Sequence, residues 1–251
     1  MVLCDGGLSA VLAEESGRLL TGLRRGGLRG AELGRRGDLL SHRFLVRALA
    51  DARPHDAVLS EEGADDPRRL AEDRVWIIDP LDGTREYGLL GHTDWAVHVA
   101  LWQRGRGITS AAVAQPALDV VCASGTAVAV RRTAARPRIL VSGSRPPWFA
   151  PAVAAALDAD LVGMGSAGAK TLAVLRGEAD AYLHAGGQWE WDSAAPVGVA
   201  AAAGLHTSRV DGTPLTYNQA DPYLPDLLIC APEHAEPILT AVRGTGPLRP
   251  A

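Results

Sequence analysis

The residues of this chain best able to do chemistry are two aspartates at the end of an apolar run. Residues Trp76 to Thr84 read W-I-I-D-P-L-D-G-T, which predicts a strand that stops at Asp79. Proline and glycine in the following positions predict a tight turn. This turn can aim Asp79, Asp82 and the Leu81 carbonyl into one hollow. Hard oxygen ligands without cysteine or histidine favour Mg²⁺.

Other acidic residues lie beside predicted elements elsewhere in the chain. Glu61 follows the apolar pair Val58-Leu59 at the end of a predicted strand, and Asp192 precedes a helix of small residues. Taken singly, the D-x-x-D segment can cap a turn, Glu61 can lie in a solvated loop and Asp192 can cap its helix. Two carboxylates about 4 Å apart repel by about 4 kcal/mol at an effective dielectric constant of about 20. A cluster of all four would therefore need cations to stay ionised.

The N-terminal part of the chain predicts two helices. Leucines recur at helical spacing from Leu8 to Leu23, and the pattern returns from Asp38 to Ala52. Residues 24–37 between them are rich in glycine and arginine and have no periodicity, which predicts a mobile connector or flap.

The rest of the chain changes from strands to alternating elements. Short apolar runs from Ala57 to a last predicted strand at Val128–Arg131 indicate a largely antiparallel sheet. After Arg138, helices and strands alternate in an α/β pattern. We therefore predict an N-terminal part at 1–135 and a C-terminal part at 136–251 that share one layered α/β body.

Length and composition exclude several classes of protein. The 251 residues are 47% hydrophobic and 22% charged, with a formal net charge of −4, which is typical of a folded globular protein. The balance of charge gives no basic excess for a nucleic-acid polymer or an anionic membrane. No apolar run approaches the roughly 20 residues of a membrane span and no signal pattern opens the chain, so we expect a cytoplasmic protein.

Together the acidic segments resemble the inositol monophosphatase superfamily of Mg²⁺-dependent, lithium-sensitive phosphatases. Its markers are a Glu-Glu after a strand, a D-P-[LI]-D-G-T segment and a W-D before a C-terminal helix. Here they occur in that order, at Glu61-Glu62, Asp79–Thr84 and Trp191-Asp192. The resemblance extends from about Asp38 to Cys230. It implies a layered αβαβα sandwich, with the site in the cleft between the two halves.

The resemblance also implies a set of metal ligands and catalytic residues. Two Mg²⁺ are expected, or three if Asp38 takes part, although residues 34–37 before Asp38 depart from the usual lead-in of the family. Catalysis is assigned to Glu61, Thr84 and Asp82, with Glu61 and Thr84 orienting an activated water for direct attack on phosphorus. The implied metal ligands are Glu61, Asp79, Leu81 through its carbonyl, Asp82, Asp192 and Asp38.

A nucleotide substrate is implied by residues 84–87, which read T-R-E-Y. This is similar to the T-[KR]-E-[FY] of the CysQ-type 3′-phosphoadenosine 5′-phosphate phosphatases, which implies hydrolysis to AMP and phosphate in sulfate assimilation by an enzyme that is commonly a homodimer. Lys170, the single lysine of the chain, is the candidate for binding the phosphate that is not cleaved, with a surface lysine as the alternative. The implied substrate-binding residues are Gly83, Thr84, Gly165, Ser166, Ala167, Lys170, His184 and Asp192.

Residues just upstream of Asp192 are open to two interpretations. His184, Gln188, Trp189 and Glu190 can line an adenosine pocket or belong to a packed loop. His98 alternates with apolar residues on a predicted strand, which favours a core or cross-strand contact over a ligand.

Other functions stay open at the level of the sequence. Within the superfamily, inositol 1-phosphate and fructose 1,6-bisphosphate are alternative substrates. Residues Gly163–Gly168 fit G-x-G-x-x-G and suggest an NAD-binding oxidoreductase, but the next predicted strand ends in His184 rather than in an acidic residue. The spacing of Asp79 and Asp82 differs from that of D-x-D-G-T aspartyl phosphatases, which disfavours a phosphoenzyme. A non-catalytic sensor of the bisphosphate nucleotide is the last alternative.

Overall fold

Helices and strands alternate through most of the chain. The structure, a computed structural model, describes residues 3–130 and 136–246. The helices are α1 (Asp5–Arg24), α2 (Gly30–Ala52), α3 (Thr84–Gly88), α4 (Ala150–Ala156), α5 (Ala167–Leu175), α6 (Glu190–Ala202) and α7 (Pro232–Arg243). The strands are β1 (Ala57–Ser60), β2 (Arg74–Asp82), β3 (Ala96–Gln103), β4 (Gly107–Gln115), β5 (Val120–Ala123), β6 (Arg138–Ser142), β7 (Asp160–Met164), β8 (Ala181–Trp189), β9 (His206–Ser208) and β10 (Tyr223–Cys230).

The strands form two five-stranded sheets. The first has the order β1-β2-β3-β4-β5, with β1 parallel to β2 and the other pairs antiparallel. The second has the order β7-β6-β8-β10-β9, with β6 parallel to β7 and β8 and with β10 antiparallel to its neighbours. The largely antiparallel first sheet and the mixed second half agree with the pattern predicted from the sequence. The predicted division between residues 135 and 136 falls between β5 and β6.

Alternating side chains bind the layers together, because successive residues of a strand point to opposite faces of a sheet. On β2, Trp76 packs with α1 and α2, while Ile77 packs on the opposite face with α5 and α6. On β8, Tyr182 faces the same α5 and α6 layer, while Leu183 faces α4 and α7. The order is helices, sheet, helices, sheet, helices. The predicted αβαβα sandwich is therefore confirmed.

The predicted flap at residues 24–37 is wrong. α1 extends to Arg24 and α2 begins at Gly30, so most of this segment is helical. A Cβ on Gly34 would lie 2.7 Å from the Thr84 methyl group, and one on Gly37 would lie 2.8 Å from Leu81. The glycines allow α2 to approach the end of β2, and this tertiary packing outweighs their weak helix propensity.

Two further differences from the predicted elements concern whole strands. Residues 128–130 of the predicted strand at Val128–Arg131 form no strand, and Arg131 lies outside the described residues. The short strand β9 was not predicted, since its three residues show no alternation of their own. Within residues 3–130 and 136–246, every helix is too short or too polar to cross a membrane.

Candidate active site

The end of β2 positions the two aspartates of the central motif. Pairing with β3 shifts register between Asp79 and Asp82, so a β-bulge accommodates Pro80. The strand predicted to stop at Asp79 therefore continues to Asp82. Asp79 Oδ1 accepts a hydrogen bond from the Leu81 N–H at 3.0 Å. Gly83 then takes a φ of 84°, which allows the sharp change of direction into α3.

Asp192 joins these two aspartates from the other half of the molecule. The carboxylate oxygens of Asp79, Asp82 and Asp192 lie within 4.8 Å of one another. Asp192 is in the first turn of α6, and its Oδ2 accepts a hydrogen bond from the Trp189 N–H at 2.6 Å. Asp192 was expected to precede its helix, but α6 begins two residues earlier, at Glu190. The Asp192 side chain therefore caps α6 from the third helical position, and it also belongs to the cluster.

Glu61 reaches the cluster from the end of β1. Since β1 and β2 are parallel, their carboxyl ends meet at one edge of the sheet, and the Glu61 N–H bonds the Ile78 carbonyl at 3.4 Å. Part of the Glu61 side chain is exposed, while its carboxyl group shares a hydrogen bond with Asp79. Burial of this carboxyl, together with the charges of neighbouring carboxylates, raises its pKa to about 7.

Burial and the repulsion between neighbouring charges both disfavour the ionised forms of the clustered carboxyl groups. Burial raises the pKa of Asp79, which is 1% exposed, well above its usual value, with the charges of Glu61 and Asp82 adding to the effect. Burial and then the charge of Asp82 raise the pKa of Asp192 to about 7. Nearby cations stabilise the ionised form of carboxyl groups whose pKa is raised in this way. The all-oxygen donor set fits Mg²⁺.

Asp82 is held by the loop that precedes α5. Ser166 Oγ and the Gly168 N–H donate to the same Asp82 oxygen at 2.5 and 2.8 Å. Ser166 has a φ of 53°, an uncommon conformation for a residue with a side chain. The glycine-rich segment Gly163–Gly168 therefore binds a carboxylate of this chain through its N–H and hydroxyl groups, which disfavours the dinucleotide-binding interpretation.

His98 supports Asp82 from inside the protein. It is fully buried on β3 opposite Asp79, and its Nε2 lies 3.2 Å from Asp82 Oδ2. Its Nδ1 lies 3.1 Å from the Trp191 carbonyl. Burial opposes the charged form of both partners, but their mutual attraction outweighs it, so the pKa of Asp82 lies below its usual value and that of His98 above it.

Asp38 lies beside the cluster because α2 begins early and packs against α3. The Thr84 hydroxyl is 3.1 Å from Asp38 Oδ1 and 3.0 Å from the Leu81 carbonyl. Asp38 is 8% exposed, and burial, followed by the charge of Glu62, raises its pKa to about 7. The structure thus brings Asp38, Thr84 and the Leu81 carbonyl together, as the resemblance implies.

A cavity of about 480 Å³ opens beside the cluster. Every residue implied to bind substrate lines it: Gly83, Thr84, Gly165, Ser166, Ala167, Lys170, His184 and Asp192. A larger cavity of about 780 Å³ lies between β4 and α6, and its lining in the described residues has no charged side chain. The smaller cavity is the candidate active site, because it alone of the two adjoins the carboxylates.

Residues 7–245 match the inositol monophosphatase family. The chain belongs to this family. It is 51% identical over 255 residues to a protein of Mycobacterium leprae named 3′-phosphoadenosine 5′-phosphate phosphatase, with 96% of this chain and 94% of that protein covered. It is 32% identical over 203 residues to an Escherichia coli protein named 3′(2′),5′-bisphosphate nucleotidase CysQ, with 74% and 80% covered.

Solved structures of other family members show the same fold. The structure of CysQ from Bacteroides thetaiotaomicron has a TM-score of 0.77 at 24% sequence identity, covering 89% of this chain and 96% of that one. An inositol monophosphatase from Anabaena has a TM-score of 0.76 at 20% identity, covering 97% and 95%. The family match over residues 7–245 confirms the likeness inferred from the three acidic segments.

In this family member, Lys170 is not the surface residue of the alternative interpretation. It is 4% exposed, and its ammonium group donates to the carbonyls of Met164, Gly165 and Ser166 at 3.3, 3.2 and 2.8 Å. It also lies 4.8 Å from the centre of the Tyr182 ring. Burial lowers its pKa to about 8. Lys170 therefore ties together the loop that holds Asp82.

The residues upstream of Asp192 divide into two groups. His184 and Gln188 line the cavity. Trp189 is 39% exposed and stacks on Trp191 with ring centres 5.5 Å apart, outside the cavity lining. Glu190 is 1% exposed and accepts hydrogen bonds from two backbone N–H groups of the loop at residues 218–219. The pocket interpretation thus fits His184 and Gln188. The loop interpretation is wrong for all four residues, because β8 extends to Trp189 and α6 begins at Glu190.

Sequence reasoning assigned His98 to the core and missed its contact with Asp82. The available signal was its position on β3, the strand that follows β2. Because the two strands pair in antiparallel fashion, a residue near the start of β3 lies opposite Asp79 near the end of β2.

Proposed function

We propose that this protein is a Mg²⁺-dependent 3′(2′),5′-bisphosphate nucleotidase that hydrolyses 3′-phosphoadenosine 5′-phosphate to AMP and phosphate. The observation that carries the proposal is the group formed by the buried Asp79 and Asp82 with the half-buried Asp192 at one end of a cavity of about 480 Å³. The nucleotide substrate is supported by the names of the Mycobacterium leprae and Escherichia coli relatives and by the T-R-E-Y segment at residues 84–87.

The carboxylates of Glu61, Asp79, Asp82 and Asp192, with the Leu81 carbonyl, are the proposed metal ligands. When bound, Mg²⁺ supplies positive charge for the phosphate oxygens and lowers the pKa of the attacking water. We propose two ions per site and a third near Asp38, whose raised pKa indicates a similar shortage of positive charge.

The protein's own groups handle the proton of the attacking water. Glu61, whose carboxyl group lies beside Asp79 in the cluster, is the group proposed to accept that proton. The Thr84 hydroxyl, fixed between Asp38 and the Leu81 carbonyl, is placed to orient the water. A bond forms between the water oxygen and phosphorus, the bond from phosphorus to the 3′-oxygen breaks, and that oxygen takes up a proton.

Substrate preference tests this function directly. We expect Mg²⁺-dependent phosphate release from 3′-phosphoadenosine 5′-phosphate to exceed release from inositol 1-phosphate and fructose 1,6-bisphosphate. A preference for either of the other two substrates would still support the proposed active site, but it would contradict the assignment of a nucleotide substrate. Binding of the nucleotide without hydrolysis at any Mg²⁺ concentration would identify a sensor instead. Titration of metal-free protein with Mg²⁺ gives the number of ions, and sedimentation analysis tests the expected homodimer.

A further inference from the structure

Three cationic side chains line the active-site cavity: Arg85, Lys170 and Arg145. The ammonium group of Lys170 already has three carbonyl partners. Arg145 follows β6, and within the described residues its one hydrogen bond runs from its backbone N–H to Ser142 Oγ at 3.1 Å. Its guanidinium group is exposed to the cavity and has five donors available for an anion.

The guanidinium group of Arg145 lies against a segment of β8 that contains two glycines. Gly187 has a φ of 68°, and a Cβ there would lie 2.5 Å from Arg145 Nη1. Gly186 before it has a φ of 84°. Both conformations favour glycine, and the missing side chain leaves the space that the guanidinium group occupies. The guanidinium group of Arg145 thus lies close to the Gly187 backbone on the wall of the cavity.

Two buried acceptor atoms lie on the same wall. His184 and Gln188 are each 4% exposed, and His184 Nδ1 and Gln188 Oε1 have no hydrogen-bond partner among the described residues. His184 Nε2 lies 2.8 Å from the Gly186 carbonyl, so it carries the ring proton and leaves Nδ1 as an acceptor. Gln188 Nε2 donates to the Tyr182 hydroxyl at 2.7 Å, which leaves Oε1 to accept.

Buried polar atoms are nearly always hydrogen-bonded, so these acceptors suit a ligand with hydrogen-bond donors. The cavity therefore has carboxylates for metal ions at one end. On its wall lie the hydrogen-bond acceptors of His184 and Gln188, with the guanidinium group of Arg145 beside them. A nucleotide with two phosphates has the matching groups, because its hydroxyl and amino donors lie between or beside two anions.

We propose that Arg145, rather than Lys170, binds the phosphate of the substrate that is not hydrolysed. Lys170 acts instead as a positioning residue for the loop at Met164–Ser166. This assignment rests on the proposed nucleotidase function and revises the role that the sequence suggested for Lys170.

Substrate pairs that differ in one phosphate test this proposal. We compare the Mg²⁺-loaded wild type and Arg145→Ala on 3′-phosphoadenosine 5′-phosphate and on adenosine 3′-phosphate, which lacks the 5′-phosphate. Loss of a charged hydrogen-bonding partner is expected to lower kcat/KM for the bisphosphate by about 10- to 100-fold, mainly through KM. The value for adenosine 3′-phosphate should change by less than about twofold. Arg145→Lys should recover part of the loss, because it restores the charge without the planar fork.

Three matched variants sharpen the comparison. Arg47→Ala removes an exposed charge on α2 outside the cavity and should change neither substrate. Arg85→Ala and Lys170→Met should affect both substrates by similar factors. A selective loss of the bisphosphate in either of these two, with normal behaviour of Arg145→Ala, would overturn the assignment, as would equal losses on both substrates in Arg145→Ala.

A binding measurement separates this proposal from the function on which it rests. Calorimetric titration with AMP, which carries only the 5′-phosphate, should show about 10-fold weaker binding to Arg145→Ala than to wild type; equal binding contradicts the proposal. If wild type does not hydrolyse the nucleotide but does hydrolyse fructose 1,6-bisphosphate, the nucleotidase function fails. The comparison of that substrate with fructose 1-phosphate then tests Arg145 by itself.

Discussion

The acidic and basic ends of the cavity are built in different ways. At the acidic end, Asp79 and Asp82 are 1% and 7% exposed and extend from β2, and each has hydrogen-bond partners inside the protein. At the basic end, Arg145 is exposed on the loop between β6 and α4, with its guanidinium group unpartnered among the described residues. Metal ligands need fixed geometry, which strands and helices supply. Substrate discrimination lies on a loop, which can change without disturbing the ligands.

The largest effect is expected from breaking the acidic end. Asp82→Asn removes the carboxylate whose pKa lies below its usual value and should lower kcat by at least about 10³-fold, because a catalytic metal ion contributes several kcal/mol. Phosphate release at saturating Mg²⁺ measures the loss. Asp51→Asn, at an exposed position of α2, is the matched control. Activity of Asp82→Asn within about tenfold of wild type would contradict the role of the cluster.

A smaller effect is expected from removing the buried support of the acidic end. His98→Leu leaves every carboxylate in place but deletes the group 3.2 Å from Asp82 Oδ2. Residues that contact metal ligands without touching the metal commonly contribute about 10- to 100-fold to metal affinity or activity. The Mg²⁺ concentration for half-maximal activity should rise in that range, and His98→Gln should recover part of it. An unchanged Mg²⁺ requirement would mean that His98 only fills space.

The smallest effect concerns how stability depends on pH at the two ends. Glu61 and Asp192 have pKa values of about 7 and the pKa of Asp79 is raised well above its usual value, whereas unfolded carboxyl groups titrate near about 4. Between about pH 4 and 7 the folded, metal-free protein therefore binds more protons than the unfolded chain. Its free energy of unfolding should fall as the pH rises through this window.

Thermal unfolding with EDTA or with Mg²⁺ measures this dependence. Mg²⁺ should raise Tm by several degrees more at about pH 8 than at about pH 5, because protons no longer compete for the carboxylates. The variant Arg145→Ala should keep the same pH dependence, since the basic end does not contribute to it. A Mg²⁺ effect that is equal at both pH values would contradict the assignment of the buried carboxylates as ligands.

The acidic end could be predicted from the sequence more fully than the basic end. Asp79 and Asp82 lie at the end of a predicted strand and Asp192 at the start of a predicted helix, all within motifs of fixed spacing, and the structure brings them together. The flap was predicted wrongly because Gly34 and Gly37 reflect close packing of α2, which no local pattern reveals.

The remaining site residues depend on contacts between distant segments. His98 looks like any alternating residue of a buried strand until its register with β2 is known. The carbonyl partners of Lys170 and the approach of Arg145 to Gly187 depend on where α5 and β8 lie in space. The contacts of Lys170 and Arg145 are set by tertiary structure and leave no signal in residue spacing, whereas His98 could have been noted from its place on the strand that follows β2.

The most direct test of the account is a crystal structure of the protein with Mg²⁺, AMP and inorganic phosphate bound together. We predict Mg²⁺ and inorganic phosphate at Asp79, Asp82 and Asp192, with the phosphate of AMP on the guanidinium group of Arg145. An AMP phosphate bound at the carboxylate cluster, with Arg145 left free, would show that the two ends of the cavity do not divide hydrolysis from substrate selection.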